Sequence, residues 1–439
     1  MQLDEVRFGP AELLCVIILA FFAMQGAIPG IAPNQAAEMT NTAATPLMKV
    51  AGIGSQIIVN GLIAVLVVHQ WRKLYRLRFA LQWSAALALL AMASALWSQA
   101  PATTARRAVP FALATLFGLY FAGRFSLRRQ LSILCFTMTI AALASAVLAL
   151  AFPSIGLEAS SGHFGNWQGV FTQKNACGRA MVFAIAAVLS YGKWNAVRLA
   201  CFVLFAFVLA MSGSRGAWVI AATILVLYVL LLVLERFTSA SRLVVLCVAV
   251  VLMAAAAMMA WAYFPVFALF LGRDATLTGR TAIWQQVWAA ILKHPWLGYG
   301  FSAFWQGMKG ESYNVILALR FVLFHAHNGF LEVWLELGAV GLLLFTLGHL
   351  RAWRRLWPLL LKRHMPECAW MFFVLALIFL YDLDENTLLT FNGAFWVLYV
   401  AAVADIEILA AEQDIAHALV AAQKRASSPS LSAGAIAAR

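Results

Sequence analysis

The string HAHNG at residues 325–329 combines two histidines with an asparagine, directly before a long apolar run. Histidine is the side chain that most readily takes or gives a proton near neutral pH. Side chains two residues apart do not share a helix face, so the two histidines are expected to have different roles. A zinc site is the alternative for such a pair, but no third ligand at metal-site spacing accompanies it in the sequence. The string therefore predicts proton transfer, and we expect no metal.

Acidic residues continue this segment into the apolar run. On a helix, Asn328, Glu332 and Glu336 would form one stripe, with His325 one turn earlier. Carboxylates inside an apolar span need partners, and arginines elsewhere in the chain are the candidates. The string DLDE at 382–385 resembles the DxD motif of soluble glycosyltransferases in only three letters. We interpret it as a charge partner for the arginines or as a solvated loop.

Arginines suited to phosphate binding occur in two glycine-containing strings. Arg215 lies in SGSRG, and Arg280 follows a glycine and is close in sequence to Arg273. A guanidinium can bind a phosphate through two N–H groups and keeps its charge at neutral pH. For Arg215, the alternative is an arginine that snorkels at a helix end. Lys174, with Arg179 nearby, predicts either an anionic ligand or an anchor for lipid headgroups.

Aromatic residues and glycines follow Arg280. The string PWLGYGFSAFW at 295–305 has Tyr299 at its centre, a mixture that suits stacking on sugar rings. Ordinary interfacial aromatics are the alternative. The segment Thr281–Lys293, between Arg280 and this string, has its apolar positions on one helical face. This pattern predicts a helix that lies on the membrane or caps a cavity, or a loop helix that packs on the ends of the spans.

These residues must be positioned by membrane-spanning helices, because 64% of the 439 residues are hydrophobic and 11% are charged. Soluble domains carry about 25% charged residues, so the solvent for this chain must be lipid. The net charge of +13 is scattered in short clusters, which argues against a nucleic-acid partner. Segments of about 20 apolar residues can span a membrane. The predicted spans are about 11–28, 50–68, 80–97, 108–122, 131–151, 177–191, 197–212, 217–234, 243–264, 328–349, 367–381 and 392–409.

Basic residues concentrate in alternate connections between these spans, and such residues mark the cytoplasmic side. Twelve spans then place both termini in the cytoplasm. A polytopic membrane domain over 1–409 carries a large periplasmic loop at about 265–327, between helices 9 and 10. Residues 410–439 are predicted to be a cytoplasmic tail, a short amphipathic piece followed by a largely disordered end. The candidate chemistry lies on the periplasmic side.

The strings SGSRG, GRTxIW, PWLGYG and HAHNGFLE, in this order, resemble the O-antigen ligase/polymerase superfamily of Wzy type, and especially its exopolysaccharide and O-antigen polymerases. The resemblance implies an all-α, GT-C-like membrane protein. It implies a metal-independent glycosyltransferase with a lipid-diphosphate-linked glycan donor and no cofactor. It assigns Arg215 and Arg280 to the donor diphosphate and His327 to the catalytic position. The family often has HKN where this chain has QKN ending at Asn175, and lysine is common in related polymerases at the position of Arg215. Both departures bear on the exact substrate.

The function implied is polymerisation of polyprenyl-diphosphate-linked repeat units at the periplasmic face. An O-antigen ligase that transfers the glycan to lipid A–core is the alternative within the family, and a lipid-linked oligosaccharide transporter or flippase is the alternative from another class. Expected partners are the lipid-linked oligosaccharide, membrane lipid, and a chain-length regulator or other polysaccharide assembly proteins. The residues expected to bind substrate, beyond the three already assigned, are Lys174, Arg273, His325, Asn328, Glu332 and Tyr299.

Overall fold

The computed structural model describes residues 8–26, 45–158, 165–192, 194–237, 241, 279–362 and 366–427. Within these ranges the regular secondary structure is helical, apart from one isolated antiparallel bridge between Leu157 and Trp167, and turns and irregular segments connect the helices. Short 3-10 turns occur at Arg78–Leu81 and Ser94–Leu96. The helices are α1 (Pro10–Ala23), α2 (Pro46–His69), α3 (Trp71–Arg76), α4 (Gln82–Ala93), α5 (Pro101–Arg124), α6 (Leu127–Ala151), α7 (Pro153–Gly156), α8 (Lys174–Leu189), α9 (Ala196–Met211), α10 (Arg215–Glu235), α11 (Arg280–Ile291), α12 (Gly310–Leu319), α13 (Gly329–Lys362), α14 (Pro366–Asp382) and α15 (Ala394–Ser427).

The helices confirm an all-α integral membrane protein. Six described helical stretches are long and apolar enough to cross a membrane, and α1, α9 and most of α14 are shorter apolar helices. Eleven of the predicted spans coincide with a described helix. The ninth, at 243–264, lies outside the described residues, so the count of twelve stays a prediction. The last helix continues to Ser427, so residues 410–427 of the predicted tail are helical, and 428–439 lie outside the described residues.

Helix α8, the predicted sixth span, is short because it lies inside the bundle. All of its residues from Ala176 to Leu189 are buried. A helix that is apolar all round and enclosed by its neighbours does not need the full length of a lipid-facing span. It packs against α6, α9, α10 and α14. Any polar side chain at its N-terminal end therefore points into protein rather than lipid.

Helices α5 and α15 form the other half of the core. The ring of Trp396 stacks on Phe111 with 4.9 Å between centroids, and its indole N–H donates to the Thr115 hydroxyl at 2.9 Å. Gly118 permits this close approach, because a Cβ there would lie 2.8 Å from Val400. Phe301 also packs on Phe111, at 4.9 Å. The segment that follows α11 is thus attached directly to the membrane core.

Helix α13 is broken at Gly338, where φ is 67° and ψ is −172°. The break interrupts the ladder of helical hydrogen bonds, and the PWLGYG string supplies replacements. The Ala339 amide donates to the Pro295 carbonyl at 2.8 Å, and the Gly300 amide donates to the Glu336 carbonyl at 2.9 Å. Part of this string, interpreted from sequence as a sugar-stacking element, therefore serves to complete the broken helix.

The loop between α11 and α13 has a small hydrophobic core of its own. Ile283, Val287 and Ile291 of α11 are buried against Tyr299 and Phe304. Of the alternatives for the amphipathic pattern at 281–293, the structure favours packing, since most of its apolar face is covered by the protein and only Trp288 of that face is exposed. The loop helix is thus a fixed support for the residue at its first position, Arg280.

Replacing Gly338 by alanine tests the broken helix. A Cβ at this position would overlap with the Trp296 carbonyl, and the backbone conformation is one that side chains rarely adopt. We expect Gly338→Ala to lower the free energy of unfolding by about 1–3 kcal/mol, measured from thermal unfolding in detergent. Gly61→Ala is the matched control, because its helical position in α2 has nothing within 4 Å of an added Cβ. Equal midpoints for the two variants would contradict the role given to Gly338.

Candidate active site

A buried carboxylate, that of Glu385, joins cationic and polar side chains from distant parts of the chain. Its Oε2 lies 3.4 Å from Arg179 Nη1, and its Oε1 lies 3.3 Å from Arg280 Nη2. The Asn175 amide donates to Oε1 at 3.2 Å. Asp384 forms a second ion pair with Arg280. The amino-terminal ends of α8 and α11 and the connection between α14 and α15 therefore meet at one charged cluster.

His327 lies at the edge of this cluster. Its Nδ1 is 3.7 Å from Glu385 Oε2, and 28% of its side chain is exposed. Its backbone has φ of 51°, a left-handed conformation that is uncommon outside glycine. Neighbouring contacts hold this conformation, since the Ala326 amide donates to a Glu332 carboxylate oxygen at 2.6 Å and the Trp284 indole donates to the Ala326 carbonyl at 3.1 Å. The imidazole is both fixed and accessible.

Asn328 fastens the same loop to the α14–α15 connection. Its side-chain oxygen accepts from the Leu331 amide at 2.9 Å, which caps the first turn of α13. Its amide donates to the Leu383 carbonyl at 3.2 Å. The next residue, Gly329, packs so closely on Asp382 that a Cβ would overlap with the carboxylate. The histidine loop and the acidic connection are therefore held in fixed positions relative to each other.

His325 and His327 differ in their contacts. The backbone amide of His327 donates to His325 Nδ1 at 3.2 Å, and the two rings are 4.1 Å apart. Burial, followed by the charge of His327, lowers the pKa of His325 to about 3. His325 is thus neutral at physiological pH and a weak base. Of the two, His327 is the better candidate for accepting a proton.

Glu385 remains ionised in spite of its burial. Burial by itself would raise the pKa of this carboxyl, but contact with His327 and the charge of Arg179 outweigh that effect and lower the pKa well below its ordinary value. The connection that carries it is ordered by Asp382. The Asp382 carboxylate accepts from the Thr387 amide at 2.8 Å and the Leu388 amide at 3.1 Å.

Arg215 begins α10 next to this cluster. The preceding Ser214 hydroxyl donates to the Asn175 side-chain oxygen at 3.1 Å, and Asn175 in turn contacts Glu385. A Cβ on Gly216 would lie 3.2 Å from an Asp384 carboxylate oxygen. The SGSRG string therefore borders the cluster, and the side chain of Arg215 is exposed there.

Other predicted residues have different surroundings. Tyr299 is buried beneath α11 and its hydroxyl donates to the Ala290 carbonyl at 3.0 Å, so the structure does not bring it to the cluster. Glu332 was expected to pair with an arginine, and this was wrong. Its carboxylate accepts from the Trp305 indole at 2.7 Å and from the Ala326 amide. Glu332 thus supports the histidine loop from behind.

Lys174 begins α8, one residue before Asn175, and its backbone amide donates to a Glu158 carboxylate oxygen at 3.1 Å. Arg273 lies outside the described residues. The sequence reasoning named Arg179 and Glu385 but included neither among the site residues. The sequence feature that could have identified Glu385 is the acidic string DLDE, which follows an apolar run on the same side of the membrane as Lys174 and the arginines that lack an assigned partner in the sequence. That signal supports pairing, and the structure agrees with the charge-partner interpretation.

Metal binding is the alternative use of this cluster. Among the described residues, His325, His327 and Glu385 bring ligand atoms within 4.8 Å of one another. Imidazole and carboxylate are zinc ligands. However, both oxygens of Glu385 already face guanidinium groups, and a divalent cation placed between them would be repelled by Arg179 and Arg280. The donor set therefore fits an anion better than a cation.

Comparisons with known proteins show which proteins this chain is similar to. The fold and the site define an all-helical, multi-pass membrane protein with a cluster of paired arginines and carboxylates. Residues 200–346 match the family model described as O-Antigen ligase. The chain is also 29% identical over 360 residues to the exopolysaccharide production protein ExoQ of Rhizobium meliloti (strain 1021). The aligned region covers 78% of this chain and 81% of that relative. These two matches support the resemblance of this chain to the O-antigen ligase/polymerase superfamily.

The family match covers only part of the site. Its range includes Arg215, Arg280 and His327 but ends before Glu385 and begins after Asn175 and Arg179.

Zinc binding provides a test of the charge argument. We expect the purified protein to bind no stoichiometric zinc when equimolar Zn²⁺ is added and the excess is removed, as measured by elemental analysis. Asn175 and the two arginines saturate the carboxylate that a metal would need. One zinc per chain in the wild type, lost in His327→Ala, would contradict this interpretation of the cluster.

Proposed function

We propose that the protein polymerises polyprenyl-diphosphate-linked oligosaccharide repeat units at the periplasmic face of a bacterial inner membrane. The observation that carries the proposal is the meeting of Arg280 and Arg179 with one accessible imidazole, that of His327, around a single buried carboxylate. An anionic leaving group and a proton acceptor are the two requirements of glycosyl transfer from a lipid diphosphate. This cluster offers groups suited to both.

The arginines would stabilise the leaving group. As the bond between the anomeric carbon and the diphosphate oxygen breaks, the electron pair stays on the diphosphate and its charge grows. Fixed guanidinium groups in a site with little water stabilise such charge without reorganisation. Arg280 is held by Asp384 and Glu385, and Arg215 lies on the exposed rim of the same cluster. We assign both to the donor diphosphate, as the family resemblance implies.

His327 would act as the general base. The acceptor sugar hydroxyl attacks the anomeric carbon, and its proton moves to the free nitrogen of the His327 imidazole. A single displacement of this kind inverts the anomeric centre. Asn328, one residue on, holds the loop so that the imidazole faces the cluster. His325 is the poorer base because of its lowered pKa.

The acceptor decides between polymerase and ligase. The relative ExoQ is named for exopolysaccharide production, which favours a second lipid-linked repeat unit as the acceptor. The description of the matching family, O-Antigen ligase, favours lipid A–core as the acceptor and makes the ligase the second candidate. Both reactions use the same donor chemistry at the same cluster.

An assay on purified protein in lipid bilayers tests the proposal. The only substrate is a polyprenyl-diphosphate-linked repeat unit, EDTA is present, and products are separated by length. We expect wild type to form a ladder of longer glycans. His327→Ala should lower turnover by roughly 10²–10⁴-fold because the base is lost, and Arg280→Ala by roughly 10²–10³-fold because a charge-stabilising donor is lost.

Matched controls separate these effects from loss of charge in general. His417→Ala removes an exposed histidine of α15, and Arg76→Ala removes an exposed arginine at the end of α3. Both should keep near wild-type turnover. A wild-type product that appears only after lipid A–core is added would identify the ligase. No product in either case, with a donor that a known enzyme accepts, would reject glycosyl transfer and favour the transporter.

A further inference from the structure

Glu385 is the one carboxylate among the described residues that touches both arginines and the imidazole of the cluster. We infer that Glu385 is a positioning residue of the transfer reaction, which orients His327 and sets the spacing of Arg179 and Arg280. This inference rests on the proposed function. It concerns a residue beyond the segment that matches the family model, which ends at residue 346.

The two carboxylate oxygens have different partners. Oε2 is shared between Arg179 at 3.4 Å and His327 Nδ1 at 3.7 Å. Oε1 is shared between Arg280 at 3.3 Å and the Asn175 amide at 3.2 Å. One carboxylate oxygen therefore fixes His327 relative to Arg179, and the other oxygen fixes Arg280. A side chain that served only to neutralise charge would need neither arrangement.

Glu385 is itself held firmly. Its backbone amide donates to the Tyr381 carbonyl at 2.7 Å, so it extends the last turn of α14. Asp382 accepts two backbone amides and the Thr387 hydroxyl on the other side of Glu385, which closes the connection into a compact turn. Only 5% of Glu385 is exposed. The position of the carboxylate, and with it the positions of the side chains that it contacts, is thus fixed by the end of α14.

The effect on His327 follows from which nitrogen faces the carboxylate. Nδ1 lies 3.7 Å from the Glu385 carboxylate, whose negative charge favours the neutral tautomer with its proton on Nδ1. That tautomer leaves the lone pair of Nε2 for the acceptor hydroxyl. When Nε2 takes that proton, the imidazole becomes positively charged beside a carboxylate. Glu385 stabilises this charge, and it does so without receiving the proton. In the same step the acceptor oxygen bonds to the anomeric carbon, and the diphosphate leaves with the electron pair of the broken bond.

Glu385 assists the chemical step through His327, but it weakens donor binding through the arginines. Glu385 and Asp384 together carry two negative charges against the two positive charges of Arg179 and Arg280. A donor diphosphate must bind to guanidinium groups that these carboxylates partly neutralise. Removing the charge of Glu385 should therefore strengthen donor binding while it slows the chemical step. A carboxylate with only a structural role would affect both in the unfavourable direction.

The experiment compares Glu385→Gln and Glu385→Asp with wild type under the conditions of the polymerisation assay. Glutamine keeps the size and loses the charge. We expect Glu385→Gln to lower kcat by roughly tenfold or more, but by no more than the roughly 10²–10⁴-fold that loss of the base itself would cause. The donor KM should fall or stay unchanged. Glu385→Asp keeps the charge and should recover part of kcat with a donor KM like that of wild type.

Glu407→Gln is the matched control, because Glu407 is equally buried and also pairs with two arginines, Arg351 at 2.6 Å and Arg355 at 3.6 Å. It should keep wild-type kcat and donor KM, whatever it does to the thermal unfolding midpoint. A Glu385→Gln enzyme with unchanged kcat would overturn the inference. So would a raised donor KM that accompanies a lowered unfolding midpoint, since that result describes a structural ion pair only.

Binding of polyprenyl diphosphate without a sugar separates this inference from the proposed function. Its affinity for wild type and for Glu385→Gln is measured in bilayers, with no turnover involved. Tighter binding by Glu385→Gln supports the charge relation even if wild type forms no polymer, an outcome that would reject only the proposed reaction. A wild type that polymerises while Glu385→Gln binds the probe more weakly would reject only the inference.

Discussion

The ion pairs of Glu385 with Arg179 and Arg280 are the interaction on which the arrangement of the site depends. Charges buried within a helical bundle are unfavourable unless they are paired and hydrogen-bonded. Here one carboxylate pairs with two guanidinium groups that reach it from α8 and α11, far apart in sequence. The same carboxylate faces His327. Because the partners arrive from separate helices, the pairing brings the amino-terminal ends of those helices to the α14–α15 connection. The charges that suit an anionic substrate are thus also the charges that assemble the site.

The broken helix α13 and the PWLGYG string give this cluster its support. The backbone groups released at Gly338 are satisfied by residues 295–300, which fastens the loop to α13. The loop is fastened to α5 by Phe301 and to the histidine segment by Trp284. Glu332, inside the first turns of α13, accepts two hydrogen bonds that hold Ala326 and Trp305. These contacts explain how a connection outside the main bundle can present Arg280 and His327 with fixed geometry.

Much of this architecture follows from sequence patterns. Apolar runs predicted the described helices because lipid requires apolar surface over about 20 residues. The histidine string and Arg280 were predicted to be functional because ionisable groups beside apolar runs are energetically unfavourable in a membrane. Two things could not be predicted. Pairing between Glu385 and Arg179 joins residues about two hundred positions apart, and nothing in local periodicity selects one arginine over another. The roles of Tyr299 and Glu332 were misjudged for a related reason, since both have a polar group whose partner is a backbone or an indole rather than a ligand.

The most direct test of the account is an experimental structure of the protein in bilayers with a polyprenyl-diphosphate-linked oligosaccharide bound. The account predicts diphosphate oxygens within hydrogen-bond distance of the Arg280 guanidinium, Arg215 turned toward them, and His327 still against Glu385 with its other nitrogen facing the sugar. A diphosphate bound on the opposite side of the membrane, or a sugar held away from His327 while Glu385 and Arg280 remain paired, would contradict it.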